Sequence, residues 1–257
     1  MVNHLDDSIV FLIKFGTKQH IEDLWSKGEL FFSPPTQFIQ KNGNSDGQYD
    51  KWDSHQNVHA THLVYAELLY EDEEGPHYGP VKKFADKAII HTITNRTKKI
   101  PMTCFRTVTD EEIDDNNCFK LSEEIILQIM KDFPEYDTFI LMPAVWLINA
   151  IFQNKEKYNV MFGNIEYGYG ETSDELPEHL KMFNKLEKYS YQQEFRFILP
   201  DEQFENGKII HIPSLKDGAI IGNIDQLRLG YIFGRDKDDL LQNIKKGGIE
   251  YENIKEK

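Results

Sequence analysis

Glu194 and Gln192 stand two residues apart in Tyr189–Leu199, YSYQQEFRFIL. On a strand, alternate residues share a face, so the amide and the carboxylate point the same way. A carboxylate at a strand start, with an amide two residues before it, can be aimed into a cleft. Arg196 comes next on that face and can hold the carboxylate ionised. Phe195, Phe197 and Leu199 take the other face. The plainer reading of the same residues is a Glu–Arg pair on a half-exposed strand. Two further groups invite a metal reading. His55, His59 and His62 would gather on a helix, but LVYAELLY after them favours a strand, which splits the three between faces. Asp46, Asp50 and Asp53 lie in a polar loop with Trp52, and such a loop is more often solvated than cation-binding. No metal site is assigned.

The elements that position these residues follow from periodicity. Ile9–Lys14 reads as a strand and Phe15-Gly16-Thr17 as a turn. Thr17 is placed to cap an amphipathic helix carrying Ile21, Leu24 and Trp25, which Gly28 ends. Leu30–Ser33 is a second strand, stopped by Pro34-Pro35. The loop from Gln40 to Ser54 has the length of a functional loop, and Val58–Glu71 alternates like a longer strand. Ile100–Thr107 reads as a buried strand containing Cys104. Leu121–Phe133 is a helix capped by Ser122, and Phe139–Phe152 is a core segment that turns helical after Pro143. Tyr158–Tyr169 reads as a strand, and Lys181–Tyr189 as a helix with Met182, Leu186 and Tyr189 on one face. Lys208–Ile212 and Leu227–Phe233 are the last strands, and Lys237–Lys246 is a final helix. Irregularly ordered strands and helices imply an α+β fold. The expected form is a mixed, mostly antiparallel sheet with flanking helices in one compact domain over residues 1–257, with a helical insertion near 121–157.

Composition narrows the function classes. The 257 residues carry 40% apolar and 28% charged side chains and a formal net charge of −14. That charge disfavours broad phosphate binding, although Lys82, Lys83, Lys87, Arg96, Lys98 and Lys99 cluster in one segment. No apolar run is long enough for a bilayer span, and no basic leader precedes one, so the expectation is a cytoplasmic protein without membrane contact. Cys104 and Cys118 belong to no CxxC pair, which argues against thiolate zinc or a disulfide framework.

Several anchors recur in a familiar order: GELFFSPPTQF (Gly28–Phe38), the loop GQYDKWD, TCFR (Thr103–Arg106), Val145-Trp146, IEYG (Ile165–Gly168), FNKLEKYSYQQEFRF and LRLGYIFGRD. Their order resembles the bacterial family catalogued as domain of unknown function 2971, over nearly the whole chain, with Arg106 where Ser is usual and Gln192 for the first Glu of E-x-E. That resemblance carries no settled activity; it implies a bacterial protein of the phage-defence or toxin kind. A second resemblance, to ADP-ribosyltransferases, implies chemistry. It aligns Lys14-Phe15-Gly16-Thr17 with their first strand, Phe32-Ser33 with the strand under the nicotinamide, and Gln192-Gln193-Glu194 with the late Q-x-E. Phe15 stands where His or Arg is expected, so Lys14 would serve instead.

The resemblance implies NAD as cofactor. Gly16 would let backbone approach it, and Phe32 would stack on the nicotinamide. Glu194 would bind the ribose hydroxyl and stabilise oxocarbenium-like charge, Gln192 would orient the acceptor, and Arg196 would support the carboxylate. Lys14, Gly16, Thr17, Phe32, Ser33 and Asp50 make up the expected cofactor-binding set. The partners would be a small-molecule nucleotide and a protein or nucleic-acid acceptor. Two other classes stay open: a non-enzymatic nucleotide- or protein-binding sensor domain, and a metal-dependent nuclease using Asp50, Asp53 and Glu194.

Overall fold

The computed structural model describes residues 3–39, 56–60, 63–65, 68–72, 75–80, 82–85, 88–92, 96–168, 180–185 and 187–232. The Asp46–Asp53 loop, His55, His62 and the expected Lys237–Lys246 helix lie outside them. In chain order the elements are β1 (Ile9–Gly16), α1 (Lys18–Lys27), β2 (Glu29–Phe32) and α2 (Thr36–Ile39). Six short strands follow, β3 (Gln56–Ala60), β4 (Leu63–Tyr65), β5 (Leu68–Asp72), β6 (Gly75–Tyr78), β7 (Lys82–Ala85) and β8 (Ala88–Thr92). Then come β9 (Met102–Thr109), β10 (Cys118–Phe119), α3 (Glu123–Asp132), β11 (Thr138–Pro143) and α4 (Ala144–Phe152). The chain continues with β12 (Met161–Asn164), β13 (Glu166–Tyr167), β14 (Asn184–Lys185), β15 (Glu194–Ile198), β16 (Lys208–His211), β17 (Ile220–Asn223) and β18 (Tyr231–Ile232).

The main sheet has six strands in the order β12-β15-β9-β1-β11-β17, and every neighbouring pair is antiparallel. β13 and β14 pair in parallel. This is the expected α+β class with a mostly antiparallel sheet. Helices cover both faces. On one, Ile21 and Leu24 of α1 and Leu147, Ile148 and Ile151 of α4 join Leu12, Phe105, Ile140, Phe195 and Phe197. On the other, Ile126 and Ile129 of α3 join Phe11, Ile13, Phe139 and Leu141. A third cluster, Met102 and Ile198 with Met182 and Phe183, continues that second face. Every described residue of the expected Val58–Glu71 strand is extended, in β3, β4 and β5. Each pairs antiparallel with a later strand, β3 with β8, β4 with β7 and β5 with β6. No helix among the described residues is long and apolar enough to cross a membrane.

Local sequence explains the ends of these elements. Ser122 caps α3 by accepting from the Ile125 N–H at 3.3 Å. Thr17 stands at the start of α1 with extended backbone, yet its side chain caps nothing. Gly28 ends α1 at φ +69°, where a side chain is strained. Three expectations need correcting. Tyr158–Tyr169 is not one strand: β12 and β13 lie within it and pair with different partners, β15 and β14. Lys181–Tyr189 is not one helix: it is a 3-10 turn at Leu180–Phe183, β14, and a second 3-10 turn at Glu187–Gln192. Side chains three apart eclipse in a 3-10 helix, so such turns imitate the spacing of an α-helix. Leu227–Phe233 is likewise a 3-10 turn at Ile224–Arg228 followed by the short β18.

Candidate functional site

Glu194 opens β15, directly opposite Arg106 of β9. The whole of β15 is buried, not half-exposed. Glu194, Arg106 and Ile13 stand in one row across three strands, on the α3 face of the sheet. Arg196 and Cys104 form the next row. A belt of charge therefore separates the two apolar clusters of this face.

Both oxygens of the Glu194 carboxylate are engaged. Oε1 accepts from Arg196 Nε, and Oε2 accepts from Lys185 Nζ at 3.0 Å. The Cys104 thiol adds a further hydrogen bond. Glu194 is 6% exposed, Lys185 5% and Arg196 0%. Burial alone would raise the Glu194 pKa. The Arg196 and Lys185 charges and the hydrogen bonds outweigh it and hold the carboxyl below the usual carboxylate range. Arg196 also donates from Nη1 to the Met182 carbonyl at 2.6 Å, which ties the belt to the neighbouring turn. Burial, and then the nearby Glu194 charge, push the Cys104 thiol up, so it stays protonated and serves as a donor.

The short parallel pair β13–β14 supplies the rest. It sets Tyr167 opposite Lys185. Tyr167 Oη accepts the Glu194 backbone N–H at 2.7 Å. Lys185 Nζ also donates to Gln192 Oε1 at 2.8 Å, so one ammonium links the amide and the carboxylate. Between them Gln193 sits at φ +42°, a left-handed value that favours glycine. Thr107 holds it there: its N–H and Oγ1 donate to the Gln193 carbonyl at 2.9 and 3.1 Å. That strained residue turns the chain from the 3-10 segment into β15, so Gln192 and Glu194 meet through Lys185 rather than along one strand. Gln192 is half-buried and forms the wetter edge of the group.

The expected cofactor-binding residues lie elsewhere. Lys14 follows Ile13 on β1, so it points to the opposite face from Glu194. Its Nζ donates to Thr103 Oγ1 at 2.9 Å and to the Cys104 carbonyl at 3.0 Å, and lies 4.8 Å from the Phe105 ring centroid. Burial lowers its pKa, against the pull of Cys104 and Glu194. Phe32 is fully buried in the α1–α4 core. Ser33 bridges to Met102 and donates to Gln37 Oε1 at 2.7 Å. Met102 pairs with Ile198, at the far end of β15, four residues or about 13 Å from the Glu194 row. Gly16 ends β1 and accepts the Asp137 N–H at 3.2 Å, with Thr17 next to it. Asp50 is outside the described residues. The structure thus brings together Glu194, Gln192 and Arg196, and it separates them from Lys14, Phe32 and Ser33.

Sequence reasoning missed Lys185, Tyr167 and the role of Cys104. Nothing in FNKLEK distinguishes a buried lysine from a surface one; only the β13–β14 pairing does. No family model, no curated protein and no solved structure matches this chain.

Proposed function

We propose that the chain acts on a ribosyl substrate such as NAD, with Glu194 as the key carboxylate and Gln192 beside it at the open edge. The carrying observation is the Glu194 carboxylate, held ionised and immobile at a strand start. Such a group is a poor general base, because its proton affinity is too low at neutral pH. It is well suited to stabilising positive charge that develops as nicotinamide leaves ribose, since it is pre-oriented in a site of low dielectric. Arg196 and Lys185 position the carboxylate, and Gln192 offers an amide to the acceptor or to the departing group. Lys14, Phe32 and Ser33 have no part in this reading.

A specific observation favours a second reading, a non-enzymatic binding domain: both carboxylate oxygens already have protein donors. In that case Glu194 builds the fold, and recognition falls to Gln192 and its neighbours. A metal-dependent nuclease fits less well, because Arg196 and Lys185 occupy the oxygens that a cation would need.

The pure protein is incubated with NAD and nicotinamide release is followed, with Gln192→Ala alongside. That variant loses two hydrogen bonds at a half-buried position and should stay folded. Release by the wild type that falls at least tenfold in Gln192→Ala is the expected result. Wild-type protein that releases nothing, with a melting temperature unmoved by NAD, would end the ribosyl reading. Stabilisation by NAD without release would favour the binding domain.

A further inference from the structure

The amide of Gln192 has a fixed direction, and its cause lies on another element. Asp132 is the last residue of α3, and it is 2% exposed. Its Oδ2 accepts from the Tyr191 hydroxyl and from Gln128 Nε2, the latter at 3.0 Å. Tyr191 Oη in turn accepts from Gln192 Nε2 at 3.0 Å, and Gln192 Oε1 accepts from Lys185 Nζ at 2.8 Å. The chain of hydrogen bonds ends on Glu194 Oε2.

Each link has a donor sense that follows from the one before. The single O–H of Tyr191 is donated to Asp132 Oδ2. Burial, and then the hydrogen bond to Asp132, raise the Tyr191 pKa, so that proton stays in place. The tyrosine oxygen then has only lone pairs left for its other neighbour. Gln192 must turn its NH₂ toward Tyr191 and its carbonyl toward the Lys185 ammonium, which only donates. We propose that Asp132 is a positioning residue, which acts through Tyr191 to fix the polarity of the Gln192 amide and to keep Lys185 shared between Gln192 and Glu194. The Nε2 proton that is not donated to Tyr191 is then the one left for a ligand oxygen. That last step rests on the ribosyl reading; the orientation of the amide does not.

The test uses the full chain and the side-chain amide resonances of Gln192, assigned by their loss in Gln192→Glu. Asp132→Asn touches Gln192 nowhere, but it allows the donor sense of the relay to reverse. Tyr191→Phe removes the relay at a half-buried hydroxyl and serves if Asp132→Asn fails to fold. The expected result is that both variants shift the Gln192 amide pair and speed its hydrogen exchange. A Gln192 pair unmoved in Asp132→Asn, or in Tyr191→Phe where the former does not fold, would overturn the inference. If the wild type releases nicotinamide, the same variants should lower kcat by roughly three- to tenfold, with KM for NAD little changed. A wild type without release would refute the ribosyl reading, and the Gln192 resonances would still decide the orientation of the amide.

Discussion

At the scale of the residue, the carboxylate on which the proposed chemistry rests also bears on local stability. Read as a sequence, Glu194 on a half-exposed strand makes Glu194→Gln a silent change to the fold. Buried as it is, the change removes the negative charge and one of the two accepting oxygens on which Arg196, Lys185 and Cys104 converge. Breaking a buried ion pair from one side costs about 3–5 kcal/mol, because the partner charge is left in the interior. Urea unfolding should show Glu194→Gln less stable by that amount. Lys185→Met should also destabilise, and the double variant should lose less than the two losses added together, since the residues share one network. Strict additivity, or a Glu194→Gln loss under about 1 kcal/mol, would mean that the cluster is wetter than its burial implies. It follows that activity lost in Glu194→Gln is informative only well below that variant's melting temperature, and that Gln192→Ala is the cleaner probe.

At the scale of the element, legibility tracked how much of an element's reason lies within its own residues. The alternation of Glu194–Ile198 and the Ser122 cap of α3 are local, and both stand as read. The 3-10 turns flanking β14 have no local signature that separates them from a helix. β17 went unread because Ile220–Asn223 is short and follows Gly218; its place at the sheet edge comes from pairing with β11. The candidate site divides the same way: Gln192, Glu194 and Arg196 were visible by spacing, while Lys185, Tyr167 and Asp132 reach it only through tertiary contacts. Gly28 shows what a local signal can foretell in full. It ends α1 at φ +69°, and a Cβ there would lie 1.8 Å from the Ile212 carbonyl oxygen, which belongs to the segment after β16. The Ile212 N–H also donates to the Gly28 carbonyl at 2.9 Å, so neither backbone can retreat freely. Gly28→Ala should therefore cost well over about 1 kcal/mol, the sum of backbone strain and a backbone clash. Thermal unfolding measures it, and a variant that melts with the wild type would show that this joint yields.

At the scale of the molecule, the buried belt sets how the fold meets acid. The chain is acidic, with a formal charge of −14 and a pI near 5.1, so mild acidification first relieves self-repulsion. Carboxylates held below their usual range then act in the opposite sense. Asp6 belongs to this class through the Ser8 N–H, and Glu194 through Arg196 and Lys185, which overcome its burial. A depressed folded-state pKa means that the unfolded chain takes up the proton first. The stability Glu194 contributes is therefore complete above the ordinary glutamate value of about 4.3 and is lost as pH falls toward its folded value. Wild type and Glu194→Gln differ by one charge, so the general repulsion nearly cancels between them and the difference isolates this group. That difference should stay flat from about pH 7 to pH 5 and then narrow by about 1.4 kcal/mol for each unit below the ordinary value, because only the wild type has a carboxylate to protonate. Urea midpoints measured for both proteins between about pH 7 and pH 3 give the curve. A gap that stays constant to about pH 3 would mean that Glu194 meets the same environment folded and unfolded, and the ionised belt across the α3 face would have to be abandoned.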